Sequence, residues 1–263
     1  MDILETIIAA KRKEVEKFKL LRSIQRLEKE GFFWNIANRS LVRSLLLPGS
    51  TGIIAEFKRK SPSGGCFKPI ELEVESVVTI YNKSAAGISV LTDDVFFGGD
   101  LDDLIQAKVV SDIPVLRKDF TIDKWQIAEA KAFGADVILL IASCLTPAEV
   151  KEFAAYANSF GLESILEVHN EEELGHYCDE VSIVGVNNRN LKTFEVDINT
   201  SLQLIDKLPS GKPAISESGI SSVDAIVTLR QAGFKGFLIG ETFMKKEHPG
   251  KAFEQFVAGL KRM

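Results

Sequence analysis

From residue 53 onward the chain carries eight short apolar runs at nearly even intervals, and this spacing limits the possible folds more than any other feature. The runs span residues 53–58, 88–91, 114–118, 137–141, 164–168, 183–187, 213–217 and 237–240. Their starts lie 35, 26, 23, 27, 19, 30 and 24 residues apart, a mean near 26. Each run is strand-length and lacks a hairpin turn to the next, as strands buried in a parallel sheet do. Helical patterns fill the gaps. Thr146-Pro147-Ala148-Glu149 offers an N-cap Thr and a Pro at the first helical position, and Gly161 stands just past the expected end. Ser221-Ser222-Val223-Asp224 opens another helix that Gly233 closes. Eight βα units at this spacing predict an α/β fold, a (β/α)8 TIM barrel. The alternative is an open doubly wound sheet. That fold usually carries a Gly-rich dinucleotide loop after its first strand, and no GxGxxG follows here.

Upstream of the first run, residues 1–21 read as an amphipathic helix, with Ile3, Leu4, Ile7, Ile8, Val15, Phe18 and Leu21 near helical spacing. Residues 22–52 read as a second helix and a lid-like loop ending in Pro48-Gly49-Ser50-Thr51-Gly52. The organisation expected is therefore one barrel domain over residues 1–263, with residues 1–52 as an N-terminal helical extension.

A chain of 263 residues is enough for one such barrel and buries a core that needs no staple. The net charge of −5 argues against bulk binding of nucleic acid or an anionic membrane surface, though not against a small anionic substrate. Cys66, Cys144 and Cys178 are odd in number and form no CxxC pair, so free thiols in a reducing cytoplasm are expected. The N-terminus carries early acids and no apolar signal region, and no apolar run approaches the ~20 residues of a membrane span.

Barrel chemistry sits at the C-terminal ends of the strands, and polar residues gather there. In the first run Ile54, Glu56 and Lys58 share one face, and Ile53, Ala55 and Phe57 the other. One Glu–Lys pair on a buried face could be merely structural. The pattern recurs, however, at Lys118, Glu167, Asn187 and Glu217, each at the end of a different run. Structural pairs have no reason to collect at one end of five strands. Ser218-Gly219 and Gly240-Glu241 follow the seventh and eighth runs, where this fold usually binds phosphate. Ser61-Pro62-Ser63-Gly64-Gly65 adds hydroxyls and a permissive backbone. Phe96, Phe97 and Phe120 could be simple packing or could line an aromatic subsite. His169, His176 and His248 show no ligand spacing and read as surface or helix positions, so no metal is assigned. Trp34 and Trp125 read as packing residues, and Glu171-Glu172-Glu173 as a solvated helix start.

Seven segments, in order along the chain, resemble one family. They are residues 54–63, Leu91-Thr92-Asp93, Leu116-Arg117-Lys118-Asp119-Phe120, Glu167-Val168-His169, residues 185–191, Glu217-Ser218-Gly219-Ile220 and Leu238-Ile239-Gly240-Glu241. The chain resembles the indole-3-glycerol phosphate synthase family over essentially its whole length. The resemblance implies a carboxy-lyase of tryptophan biosynthesis that needs no cofactor and no metal. The implied substrate is 1-(2-carboxyphenylamino)-1-deoxyribulose 5-phosphate; a monomer in the cytoplasm, with no nucleic-acid or membrane partner, is the expectation. By similarity, Lys118 is the general acid at the ribulose carbonyl. Lys58 pairs with Glu56, helps bind anionic groups and can serve as acid in dehydration. Glu167 is a general base or an electrostatic stabiliser of the cationic intermediate. Asn187 positions a substrate hydroxyl, Arg189 assists near the anthranilate carboxylate, and Glu217 and Ser218 hydrogen-bond around the sugar. Ser61, Gly219, Gly240 and Glu241 hold the phosphate, while Phe96, Phe97, Phe120 and Leu139 line the anthranilate pocket.

The loop Ser63-Gly64-Gly65-Cys66 lacks a Lys common in the family, and Phe57 stands where smaller aliphatics are usual. A desolvated Lys can have its pKa lowered toward neutrality, which is one way to prepare Lys118. Two other readings remain: another phosphosugar barrel, such as an isomerase or an aldolase that forms a Schiff base on a lysine, and a binding barrel without catalysis.

Overall fold

The computed structural model describes residues 3–191 and 193–262. Met1 and Asp2, the start of the expected leading helix, lie outside the described residues. Eight parallel strands form a closed barrel: β1 (Ile53–Phe57), β2 (Gly87–Leu91), β3 (Val115–Lys118), β4 (Val137–Ile141), β5 (Glu163–Val168), β6 (Ile183–Asn187), β7 (Ala214–Glu217) and β8 (Gly236–Ile239). Each lies within one residue of its expected run. Strand β1 pairs with both β2 and β8, so Ile54 stands beside Gly87 on one side and Leu238 on the other. Closure leaves the barrel sheet without an edge strand to template aggregation.

The period-two alternation of β1 divides two cores. Ile53, Ala55 and Phe57 pack outward into the large cluster between the sheet and its helices. Ile54 points inward with Leu116, Val137, Leu139, Ile165, Ile215 and Leu238. Each of these fully buried aliphatics contributes about 1.5–3 kcal/mol. Phe57, unusual for the family resemblance, therefore meets the helix layer and not the barrel interior.

Three helices precede the barrel: α1 (Ile3–Leu21), α2 (Ile24–Glu30) and α3 (Leu41–Leu46). The expectation for residues 22–52 was one helix and a lid-like loop. The structure differs, because α3 closes the opposite end of the barrel from the expected site. Leu41 and Leu45 join the interior cluster. The backbone N–H groups of Leu41 and Val42 donate to Glu163, the first residue of β5, at 2.7 and 3.0 Å. A carboxylate at a helix N-terminus is favoured by the exposed N–H groups there.

Helices follow most strands: α4 (Val74–Tyr81), α5 (Asp94–Phe97), α6 (Leu101–Val110), α7 (Lys124–Ala132), α8 (Pro147–Ser159), α9 (Asn199–Leu204), α10 (Val223–Ala232), α11 (Glu241–Met244) and α12 (Pro249–Leu260). Helix α8 begins as its sequence implied. Thr146 Oγ1 accepts from Glu149 N while the Glu149 carboxylate accepts from Thr146 N at 2.7 Å, a reciprocal cap of about 1 kcal/mol. The interval between β5 and β6 was the shortest, and it holds only a 3₁₀ helix, Glu172–His176. Glu171 and Glu172 are exposed at its start as expected, whereas Glu173 is half-buried and turns inward onto His169. A small antiparallel hairpin, Lys60–Ser61 against Gly65–Cys66, projects after β1.

Candidate active site

The C-terminal ends of the strands surround a cavity of about 550 Å³. Its floor is the inward face of the sheet. Glu56 follows Ile54 on the inner face of β1, and Lys58 lies one residue past the strand, with its ammonium 2.6 Å from Glu56 Oε1. Across the mouth, Lys118 Nζ sits between two carboxylates, 3.1 Å from Glu167 Oε2 and 2.8 Å from Glu217 Oε2. Lys118 and Glu217 end β3 and β7 and Glu167 is the last residue but one of β5, so three strands separated in sequence build one charge triad.

Burial and Coulomb attraction compete at each member. Burial disfavours the charged Lys118, yet Glu217, Glu167 and Glu56 more than reverse this and hold it protonated well above the usual lysine value. The expectation of a lysine lowered toward neutrality is therefore corrected: its nearest neighbours are anions, not cations. Burial also acts against ionised Glu167, but Lys118, His169 and Asn187 hold its carboxyl far below the usual range. Glu217 goes the other way. Burial and the nearby Glu167 outweigh Lys118 and push it up to about 7. Its Oε1 has no hydrogen-bond partner among the described residues. Two carboxylates sharing one ammonium thus titrate far apart, the arrangement that divides acid and base roles.

The rest of the rim places the other expected residues. Asn187 is buried at the end of β6, and its Oδ1 accepts from Arg189 N at 3.0 Å. Arg189 donates to Ser63 Oγ (2.9 Å) and Glu241 Oε1 (3.0 Å), which ties the hairpin to α11. Glu241 also pairs with Lys245 at 2.8 Å. Ser61 Oγ accepts from Gly64 N at 3.0 Å and turns the hairpin. Ser218 has φ 68 and Gly219 φ 75, an unusual left-handed pair. Asn188 Nδ2 donates to Ser218 O at 3.0 Å and braces that conformation, which costs a non-glycine residue energy. A Cβ at Gly185 or Gly240 would come within 2.4 and 2.3 Å of the Glu217 and Glu56 carboxylates respectively. Only glycine leaves these two acids their places.

The apolar side of the cavity is lined by Phe97, Phe120 and Leu139, with the two rings 6.1 Å apart. Phe96 is not among the lining residues, so the adjacent pair divides, with Phe97 inward. Sequence reasoning missed several contributors. Ile3, Leu4 and Ile7 of α1 line the mouth, so the leading helix is a wall of the site. Its Lys11 is buried and bridges Asp93 and Asp119, both at 3.0 Å. Lys245 lines the mouth too, and its spacing of four from Glu241 was the available signal. His169 is not a surface residue, because its side chain is only 11% exposed and lies against Glu167. Period-two alternation beyond Glu167 could have placed it on the inner face.

A model of the protein family described as "Indole-3-glycerol phosphate synthase" matches residues 4–256. A protein of that name from Bacteroides thetaiotaomicron is 45% identical over 259 residues, covering 98% of this chain and 99% of the relative. Another from Variovorax paradoxus is 40% identical over 259 residues, covering 95% and 97%. A third from Salinibacter ruber is 40% identical over 266 residues, covering 100% and 98%. Among solved structures, a mutant tryptophan synthase alpha-subunit from Pyrococcus furiosus superposes with a TM-score of 0.61 at 15% identity, covering 81% of this chain and 98% of that one. That likeness concerns the barrel fold alone.

Proposed function

The chain belongs to the indole-3-glycerol phosphate synthase family, and we propose that the charged mouth is where it converts 1-(2-carboxyphenylamino)-1-deoxyribulose 5-phosphate to indole-3-glycerol phosphate. The reaction closes a ring, releases carbon dioxide and then releases water. The observation that carries this reading is the Lys118 ammonium held between Glu167 and Glu217 on the floor of a cavity that is apolar on one side and basic on another.

In the proposed sequence Phe97, Phe120 and Leu139 hold the anthranilate ring. The hairpin Ser61, the backbone of Gly219 and Gly240, and the first residue of α11, Glu241, hold the phosphate. Lys118 gives its proton to the ribulose carbonyl oxygen as the ring carbon bearing the carboxylate attacks. A lysine that is firmly protonated in the free protein suits an acid. The cationic ring that results sits near ionised Glu167, which stabilises it electrostatically. Loss of carbon dioxide then returns the electron pair to the ring. Dehydration needs a proton on the departing hydroxyl, which Lys58 supplies since Lys118 has already given its own, and a carboxylate to take a proton from the ring system, for which Glu167 is suited. Asn187, Glu217 and Ser218 position the sugar hydroxyls. Closing a low-dielectric mouth around these charges strengthens each step.

The charge state of Lys118 argues against imine chemistry, since a Schiff base needs a neutral amine. The decisive measurement is fluorescence-detected formation of the indole product from the anthranilate ribulose phosphate. Absence of product with pure folded protein defeats the reading. Reduction with borohydride in the presence of substrate should leave Lys118 unmodified.

We further propose a single barrel domain acting as a monomer in the cytoplasm. The eight parallel strands close into one barrel with the described helices packed around it, which supports the first part. Light scattering should return about 29 kDa. The described cysteines are free thiols, and no described helix is long and apolar enough to cross a membrane.

A further inference from the structure

We propose that His169 is a positioning residue of this site: an imidazolium clamped between Glu173 and Glu167 that aims the Glu167 carboxylate at Lys118. The inference rests on the proposed role of Glu167 and adds what keeps that carboxylate charged and oriented.

The geometry is a chain of alternating charge. His169 Nδ1 lies 3.0 Å from Glu173 Oε2, and the same oxygen accepts the His169 backbone N–H at 2.8 Å. Glu173 is itself placed by its N–H donating to Asn170 Oδ1 at 3.0 Å, which closes the turn after β5. On the other side of the ring, Nε2 lies 3.4 Å from Glu167 Oε1, within ion-pair range but without an aligned hydrogen bond among the described residues. The second oxygen of Glu167 contacts Lys118, and Lys118 contacts Glu217. Both ring nitrogens therefore face carboxylate oxygens. A neutral imidazole carries a proton on only one nitrogen and leaves a lone pair toward one of these carboxylates, whereas an imidazolium presents an N–H and a positive charge to both.

Burial alone would make the ring less basic, but its contacts with Glu167 and Glu173 reverse this and raise it to about 10. The neighbouring thiol of Cys144, on the turn after β4, is pushed by burial to about 12 and stays neutral beside these carboxylates. Asn187 on β6 contributes only a neutral hydrogen bond to Glu167. The charged groups around the ring are thus Glu167 and Glu173, with Lys118 and Glu217 one step further. Without His169, a single ammonium would face both Glu167 and Glu217, and Glu167 would take up a proton more easily. His169 is absent from the cavity lining, so its loss should alter turnover and leave substrate binding nearly untouched.

Two arms test this on the full-length protein. In ¹⁵N-histidine NMR at pH 8, both His169 nitrogens should show imidazolium shifts, assigned by their loss in His169→Gln. In Glu173→Gln the ring should titrate at lower pH. A neutral ring at pH 8 in the wild type overturns the proposal, whatever the turnover. In kinetics, His169→Gln should lower kcat about 10–100-fold, the range typical for groups that orient a reacting ligand. KM should stay within about twofold, and the acidic limb of kcat should move up by about one pH unit. Unchanged kcat and an unmoved limb overturn the proposal while leaving the family reaction intact. If wild-type protein makes no indole product, the functional reading fails and the NMR arm still decides the charge of the ring. If His169→Gln does not fold, Glu173→Gln carries both arms, with a smaller fall in kcat expected and an unmoved limb overturning the proposal.

Discussion

Lys11 on the leading helix and Asp119, the residue after the proposed acid Lys118, lie 3.0 Å apart with both side chains buried. The contact joins α1 to the end of β3. Asp119 also accepts from Thr92 at 2.7 Å and pairs with Arg117 at 3.2 Å. Burial works against its charge, but Lys11 and Arg117 prevail and hold it at about 2. Asp93 receives the same ammonium from the end of β2. One helix is thereby locked across two strand ends.

Replacing Lys11 by Met leaves Asp93 and Asp119 short of their shared cation. Breaking a buried pair from one side costs about 3–5 kcal/mol, so Lys11→Met should lower the unfolding midpoint by roughly 10 °C in calorimetry. Because Ile3, Leu4 and Ile7 wall the mouth, KM should rise as α1 loosens. Asp119 also sets a pH window for this contribution. Its folded value lies below its ordinary one, so the stabilisation is whole above about pH 4 and fades as pH falls through about 2. Unaltered stability of the variant at neutral pH would remove the anchoring role.

Lys118→Ala removes the proton donor and the cation between two carboxylates. Turnover should fall at least about a hundredfold, as loss of a general acid does. A single-turnover assay distinguishes this from slow product release, and near-normal chemistry in the variant would exclude Lys118 as acid.

Glu217 titrates near neutrality, so the profile of kcat/KM should bend near pH 7. Its carboxyl accepts a hydrogen bond from the sugar or from Lys118 best when ionised, and activity should rise through that pH. In Glu217→Gln this inflection should vanish. The stability effect has the opposite sign. The folded state keeps the proton between about 4.5 and 7 while the unfolded chain loses it, so Glu217 destabilises the fold progressively across that interval. Denaturant titrations of wild type and Glu217→Gln should diverge across the same window.

The cysteines should react in a definite order. Cys66 is exposed on the hairpin, whereas burial raises the Cys144 thiol to about 12 and raises Cys178 as well. Only a thiolate attacks an alkylating agent readily. At pH 7.5 iodoacetamide should label Cys66 first, with little loss of activity, and mass spectrometry of the peptides checks it. Early labelling of Cys144 would contradict the buried setting described for it.

Much of the site was legible because strand periodicity is local. Glu56 and Lys58 could be set on the inner face of β1 from alternation alone, and Lys118, Glu167, Asn187 and Glu217 from their place at run ends. The same rule extended one step past β5 would have reached His169, but its spacing from the other histidines suggested no site. Phe96 and Phe97 could not be separated, since a four-residue helix, α5, decides which ring turns inward.

The amino-acid sequence by itself determined the number and order of strands, the faces of each and the family, because those follow from apolar period, caps and ordered motifs along the chain. Only the tertiary structure decided that α1 walls the mouth while α3 plugs the far end. It also decided that Lys118 is held charged and not neutralised, and that Glu173 and His169 back Glu167. These outcomes depend on which opposite charges meet across the closed barrel. Coulomb energies in a buried setting change sign with neighbours that lie far apart in the chain.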